Sequence, residues 1–125
     1  MIADSDVLID TLRGVEPSAS RIRRAIASDD LEITVISVFE ILGGIRNEAD
    51  RERAEALLDG AVVYALDLGA SAEAADVDRK LRAQGLRLAT GDTLIAGIAL
   101  SHGQSLLTRN KRHFDRIPGL VVEEI

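Results

Sequence analysis

Four positions in this sequence carry oxygen-bearing side chains where chemistry can be done: Asp4, Glu40, Asp92 and Asn110. Asp4 follows a two- or three-residue apolar opening, and Val7, Leu8 and Leu12 come after it at helical spacing. An acidic turn between a buried strand and a helix is a costly place for a carboxylate. Glu40 reads as a first-turn residue of a helix that follows a β-branched strand. Asp92 lies in Thr90-Gly-Asp-Thr93, just before an apolar helix, and Asn110 follows a short strand. In an open parallel sheet such junctions share the carboxyl edge, where ligand sites form. Several carboxylates at one edge suit a hard divalent cation. Mg²⁺ takes oxygen ligands and keeps several waters, so two or three carboxylates suffice. Such an ion can activate water and stabilise an in-line displacement at phosphorus. Without it, clustered like charges raise one another's pKa values and cost stability.

These positions need elements to hold them. The pattern predicts a first helix over residues 5–12 ending at Gly14. A second begins at Pro17-Ser18 with Ser18 as N-cap and an inner stripe of Ala19, Ile22 and Ile26. Residues 31–36 read as a strand, and Ser37 then opens a helix carrying Phe39, Ile41, Leu42 and Ile45. A charged helix over 47–58 and a strand over 61–66 follow. Ser71 is expected to cap a long helix that stops at Gly85. Residues 94–100 are apolar on nearly every side and predict a buried central helix. Residues 105–108 and 120–123 are the last two strands. Strands that alternate with helices and are apolar throughout predict an α/β fold: one domain over residues 1–125, with a mostly parallel central sheet and helices on both faces.

Composition narrows the function. The chain has 125 residues, a formal net charge of −6, 46% hydrophobic and 29% charged residues, and no cysteine. That excludes a disulfide framework and a zinc–thiolate site. Its apolar runs fall well short of the roughly 18 residues a bilayer-spanning helix needs. No signal peptide is visible, so a cytoplasmic location and no membrane contact are expected. The acidic balance argues against broad coating of nucleic acid, though not against a local basic patch. Three aromatics, Phe39, Tyr64 and Phe114, are too few for a base-stacking platform.

Taken one at a time, the candidate residues have structural readings. Ser37-x-x-Glu40 fits a capping box, in which Glu40 only satisfies a helix N-terminus. Asp92 could be an N-cap, Asp4 could cap the first helix, and Asp6 is a natural first-turn partner of the helix dipole. Asn110 is a common turn residue. Three such coincidences at one sheet edge weigh more than any of them alone.

Together, Asp4-Ser-Asp-Val-Leu-Ile-Asp10, Ser37-Val-Phe-Glu-Ile-Leu-Gly-Gly44, Gly91-Asp-Thr-Leu-Ile-Ala-Gly-Ile-Ala-Leu100 and Leu107-Thr-Arg-Asn-Lys-Arg-His-Phe114 resemble the PIN domain. Within it they most resemble VapC, the ribonuclease toxins of VapBC toxin–antitoxin systems. The likeness covers nearly the whole chain in order. It implies an endoribonuclease dependent on Mg²⁺ or Mn²⁺, with Asp4, Glu40 and Asp92 as metal-binding acids. It also implies an RNA substrate, a VapB-like antitoxin and a homodimer. The family often has a further acid in the Thr-Arg-Asn region or just before the Phe; here those positions hold Asn110 and His113. Asn110 is then expected to orient a metal-bound water. Asp6 stands where the family more often has a neutral polar residue.

Residues 109–116 hold four bases, Arg109, Lys111, Arg112 and Arg116, against Asp115 alone. Lying just after a strand at the acidic edge, Arg109, Lys111 and Arg112 are expected to contact RNA phosphates, which position a nucleic acid without reading its sequence. Phe39, Ile41, Leu42 and Ile45 cover more than one face of a short helix, as core or as a surface for a partner peptide or second subunit. The rival readings are a catalytically degenerate PIN domain that only binds a partner, a haloacid-dehalogenase-type phosphatase with Asp4 as nucleophile, and a receiver-like switch using Asp67.

Overall fold

A strand that is apolar on both faces can be stable only if both faces are covered, and this chain covers them with seven helices. The computed structural model describes residues 1–125. In chain order the elements are β1 (Ile2–Ala3), α1 (Ser5–Leu12), α2 (Ser18–Ala27), β2 (Glu32–Thr34), α3 (Val35–Gly43) and α4 (Glu48–Asp59), then β3 (Val62–Tyr64), α5 (Leu68–Ala83), α6 (Thr90–Ser101), β4 (Leu106–Thr108), α7 (Lys111–Phe114) and β5 (Val122–Glu124). The five strands pair in the order β3-β2-β1-β4-β5, all parallel. The expected α/β architecture is the one observed. No helix is long and apolar enough to cross a membrane.

Side chains alternate across the sheet and divide the core in two. Ile2 and Leu106 face α5, α6 and Phe114 of α7. Their neighbours Ala3 and Leu107, with Ile33, face Val7 and Leu8 of α1, Ile22 of α2, Ile41 of α3 and Ala54 and Leu57 of α4. From β1 the chain proceeds to one side through β2 and β3, and later returns to β1's other side through β4 and β5. The order therefore reverses between β1 and β4, the kind of switch point beyond whose carboxyl ends open α/β sheets form their sites.

Several local boundaries differ from the sequence expectation. The strand expected over 31–36 stops at Thr34, because Thr34 is the N-cap of α3: its hydroxyl accepts from the Ser37 N–H at 3.2 Å. A cap of this kind contributes about 1 kcal/mol, enough to draw the β-branched Val35 and Ile36 into a helix. Ser37 is therefore inside α3, Ser37-x-x-Glu40 is not a capping box, and Glu40 lies beyond the first turn. Asp67, not Ser71, caps α5 by accepting from the Ala70 N–H at 2.8 Å. Pro17, not Ser18, stands at the N-cap of α2, with no side-chain cap. The strand expected over 61–66 is confined to Val62–Tyr64, the last strand is shifted to Val122–Glu124, and the short helix α7 was not foreseen.

The tightest packing holds α6 in place. A Cβ on Gly97 would lie 2.5 Å from Ala74 Cβ and 2.7 Å from both Ala70 O and Ala74 N on α5. Backbone atoms cannot move aside cheaply, so the two helices touch only because residue 97 has no side chain. Gly97→Ala is therefore expected to destabilise the protein by roughly 1–3 kcal/mol in urea unfolding, despite the better helix propensity of alanine. A variant as stable as the parent would show that α5 and α6 can separate without cost.

Candidate active site

Asp4 is the residue after β1, at this switch point, and is 4% exposed. It is the N-cap of α1. One carboxylate oxygen accepts from the Ser5 N–H at 2.8 Å, and the other lies 2.9 Å from the hydroxyl of Thr108, the last residue of β4. Thr108 Oγ1 is also 3.3 Å from Asp6 Oδ2. The carboxyl ends of β1 and β4 are thus tied by a hydroxyl shared between two acids.

Glu40 reaches the same edge from α3. Ser5 Oγ donates to Glu40 Oε1 at 3.3 Å, and Ser5 and Ser37 hydroxyls lie 2.8 Å apart. Gly91, in the first turn of α6, leaves room for this carboxylate: a Cβ there would stand 3.3 Å from Glu40 Oε1. Asp92 is the next residue, half-buried in that first turn, and Ala89 rather than Asp92 stands at the N-cap. Asn110 lies just past β4. Its amide nitrogen is 3.0 Å from His113 Nδ1, and its backbone N–H donates to Thr108 Oγ1 at 3.0 Å.

The electrostatics show which of these groups feel one another. The Asp4 carboxyl is pushed up to about 7, first by burial, then by the negative charges of Asp6 and Asp92, against the Thr108 and Ser5 hydrogen bonds. Asp92 is also raised, first by burial, while positive charge on His113 opposes and Asp6 adds. Asp4, Asp6 and Asp92 therefore share one field, Glu40 borders it through Ser5, and His113 lies within reach of Asp92. Among these acids only Asp6 has a basic partner, Arg109, whose Nε is 3.8 Å from its carboxylate.

A divalent cation suits this donor set, which is all oxygen and carries uncompensated negative charge around a buried carboxylate. As the side chains stand, no group of three or more acids or histidines surrounds a single point. Mg²⁺ needs only one or two carboxylates besides waters, and Glu40 is long and exposed enough to adjust.

The three expected phosphate contacts fall into two kinds. Lys111 and Arg112 lie on α7 without an ion-pair partner. Arg109 is tied back onto α1, its Nη1 3.1 Å from Asp10 Oδ2 and its backbone N–H directed at Asp6. From the sequence, Ser5, Asp10 and Thr108 have no evident role, Ser37 reads as a helix cap, and His113 stands where the family often has an acid. A signal for one of them existed: Asp6 and Asp10 are spaced to share a face of α1. Asp67 is the N-cap of α5 and stands in no acidic cluster.

The raised Asp4 carboxyl makes a testable claim on stability. The unfolded chain loses this proton near 3.8, while the folded chain holds it up to about 7. Between these values the folded state binds more protons. The contribution of Asp4 is therefore complete below the lower value and is lost as pH rises toward 7, by up to roughly 4 kcal/mol. In chelator-treated protein, Asp4→Asn should gain stability relative to the parent across this window. An unchanged difference between the two from pH 4 to 7 would contradict the claim.

The sequence pattern of the PIN domain matches residues 1–120. Ribonuclease VapC10 of Mycobacterium tuberculosis is 36% identical over 114 residues, spanning 91% of this chain and 85% of that protein. The tRNA(fMet)-specific endonuclease VapC of Shigella flexneri is 28% identical over 125 residues, spanning 97% and 94%. Among solved structures, VapBC2 of Rickettsia felis bound to a promoter DNA fragment superposes with a TM-score of 0.85 over 99% of this chain and 97% of that one, at 16% identity. DNA-bound VapBC of Salmonella typhimurium gives 0.84 over 98% and 96%, at 25% identity. The match to the family pattern over nearly the whole chain, with the acids of β1, α3 and α6 at one sheet edge, means that this chain belongs to the PIN domain family, as a VapC-type member.

Proposed function

We propose that this chain is a divalent-metal-dependent endoribonuclease, the toxic component of a type II toxin–antitoxin pair acting in the cytoplasm. The observation that carries this reading is the buried Asp4 carboxylate, held beside Asp6 and Asp92 where its charge is disfavoured unless a cation arrives. The names of the relatives, ribonuclease and endonuclease, agree with it.

Asp4, Glu40 and Asp92 would hold Mg²⁺ or Mn²⁺. Such an ion, when bound, supplies a Lewis acid at a phosphodiester and lowers the pKa of bound water. The chain's own groups do the rest. Thr108 fixes the Asp4 carboxylate through its hydroxyl, and Ser5, itself paired with Ser37, steadies Glu40. Asn110, paired with His113, would orient a water beside Asp92. Lys111 and Arg112 offer unpaired positive charge to the phosphates on either side of the scissile bond.

The partner surface follows from α3. Phe39 and Leu42 are 77% and 45% exposed, too apolar to be left to water without a reason. Beside them a groove of about 700 Å³ runs between α1, α3 and α4, lined by the apolar Ile9, Leu12, Ile41, Ile45 and Ala54 and by the charged Arg13, Glu40, Arg46, Asp50 and Arg53. A VapB-like antitoxin could lay an apolar segment here and direct an Arg or Lys among Asp4, Glu40 and Asp92, replacing the cation's charge. The exposed part of α3 would serve a second copy in a homodimer.

Cleavage of structured RNA by the isolated chain should require Mg²⁺ or Mn²⁺ and stop with chelator. Asp92→Asn should abolish it while leaving the metal-free protein at least as stable, because a disfavoured charge is removed. A large stability loss in that variant would make Asp92 a helix-terminal residue instead. No metal effect on either cleavage or melting would favour the partner-binding module, the reading to which Asn110 and His113 lend support.

Replacing Lys111 or Arg112 with Gln should weaken binding across RNA sequences and reduce the slope of log K against log salt by roughly 0.7 each. Arg109→Gln should change that slope less, because its guanidinium is already engaged by Asp10. Altered cleavage-site choice with an unchanged slope would mean that these residues read bases.

A further inference from the structure

Arg109 is the one arginine or lysine of this chain that forms an ion pair at the acidic edge, with Asp6, and its guanidinium is held on α1 away from Asp4 and Asp92. Asp6 and Asp10 stand one turn apart on the same face of α1. The Arg109 side chain lies along that face, with Nη1 3.1 and 3.3 Å from the two Asp10 oxygens and Nε 3.8 Å from Asp6. Asp10 is the deeper partner: its side chain is 7% exposed against 21% for Asp6. Its only other side-chain partner is the Ser18 hydroxyl at 3.5 Å. A carboxylate so buried needs its counter-ion, whereas Asp6 is more open to water.

The guanidinium has somewhere else to go. Arg109 follows Thr108, whose hydroxyl lies 2.9 Å from Asp4 and 3.3 Å from Asp6. An arginine rooted there can swing its planar fork onto two neighbouring carboxylates, and Arg suits that pairing better than Lys. Turned that way it would take the place of the cation.

We propose that Asp10 is a positioning residue that anchors Arg109 on α1 and thereby keeps the chain's own arginine from occupying the cation position among Asp4, Glu40 and Asp92. The inference rests on the metal-dependent reading of the site. Asp10 itself touches neither metal nor substrate; it acts through Arg109.

The test measures metal binding rather than cleavage, with Mn²⁺ as probe, read by calorimetric titration and by the rise in melting temperature of the full chain. Asp10→Asn, checked for native fold by circular dichroism, should bind Mn²⁺ about tenfold more weakly, within the range expected when one site biases another. Arg109→Gln should bind it at least as tightly as the parent. The double variant should behave like Arg109→Gln, because with the arginine gone there is nothing left to anchor. Weak binding that persists in the double variant would show that Asp10 acts through packing and would overturn the proposal. Arg109→Gln stands as an independent arm should Asp10→Asn not fold: weaker Mn²⁺ binding in it would mean the guanidinium is no competitor, and the proposal would be wrong. A parent protein that binds Mn²⁺ while Asp10→Asn binds it equally well ends this inference alone. A parent that binds no Mn²⁺ ends the metal reading as well.

Discussion

The repulsion between carboxylates gathered at the carboxyl ends of β1 and β4 is the constraint on which the rest of this structure depends. Asp4 is almost wholly buried and has Asp6 and Asp92 for neighbours. Such an arrangement raises the free energy of the folded state at neutral pH unless something offsets it. Hydrogen bonds offset part. The Ser5 N–H and the Thr108 hydroxyl both favour the charged form of Asp4, and Arg109 answers Asp6 and Asp10. The remainder is an appetite for positive charge. A divalent cation and an inhibitor's basic side chain would satisfy the same deficit, which is why they would exclude each other.

A scaffold that keeps these charges together must be stiff where they attach. Asp4 and Thr108 come from adjacent parallel strands in register, Ile2 with Leu106 and Ala3 with Leu107. Asp92 depends on α6, whose buried face of Ile95, Ala96, Ile98 and Ala99 is locked to α5 at Gly97 and the two alanines it meets. Glu40 is the exception. It stands on α3, with Phe39 and Leu42 open to solvent, and only Ser5 holds its carboxylate. The same helix thus carries both the most adjustable acid and the apolar surface, so a partner covering α3 would act directly on the site.

The arginine strap joins these two themes. Arg109 links the end of β4 to α1, the helix that Asp4 caps. Lys111 and Arg112, on the helix that follows, keep their charge free. One basic segment therefore serves two purposes: its first residue balances acids of the chain itself, and the next two remain open to an external anion.

The architecture was legible in the sequence because it follows from local pattern. Apolar strands alternating with helices, a wholly apolar helix over 94–100, and the acids Asp4, Glu40 and Asp92 near strand–helix junctions point to a parallel sheet covered on both faces with a polar edge. That Asp4, Glu40 and Asp92 lie at one edge is a consequence of that topology. What the sequence could not decide were the contacts between residues far apart in the chain. Whether Val35 and Ile36 extend a strand or begin a helix turned on the cap formed by Thr34, and local propensity favoured the wrong answer. Ser37 read as a cap yet lies buried against Ser5, and Arg109 read as a free charge yet is bound to Asp10, 99 positions away. A serine or an arginine carries no mark of its partner. Only the folded chain, by bringing α1 beside the end of β4, decided which charges are spent inside the protein and which remain for a ligand.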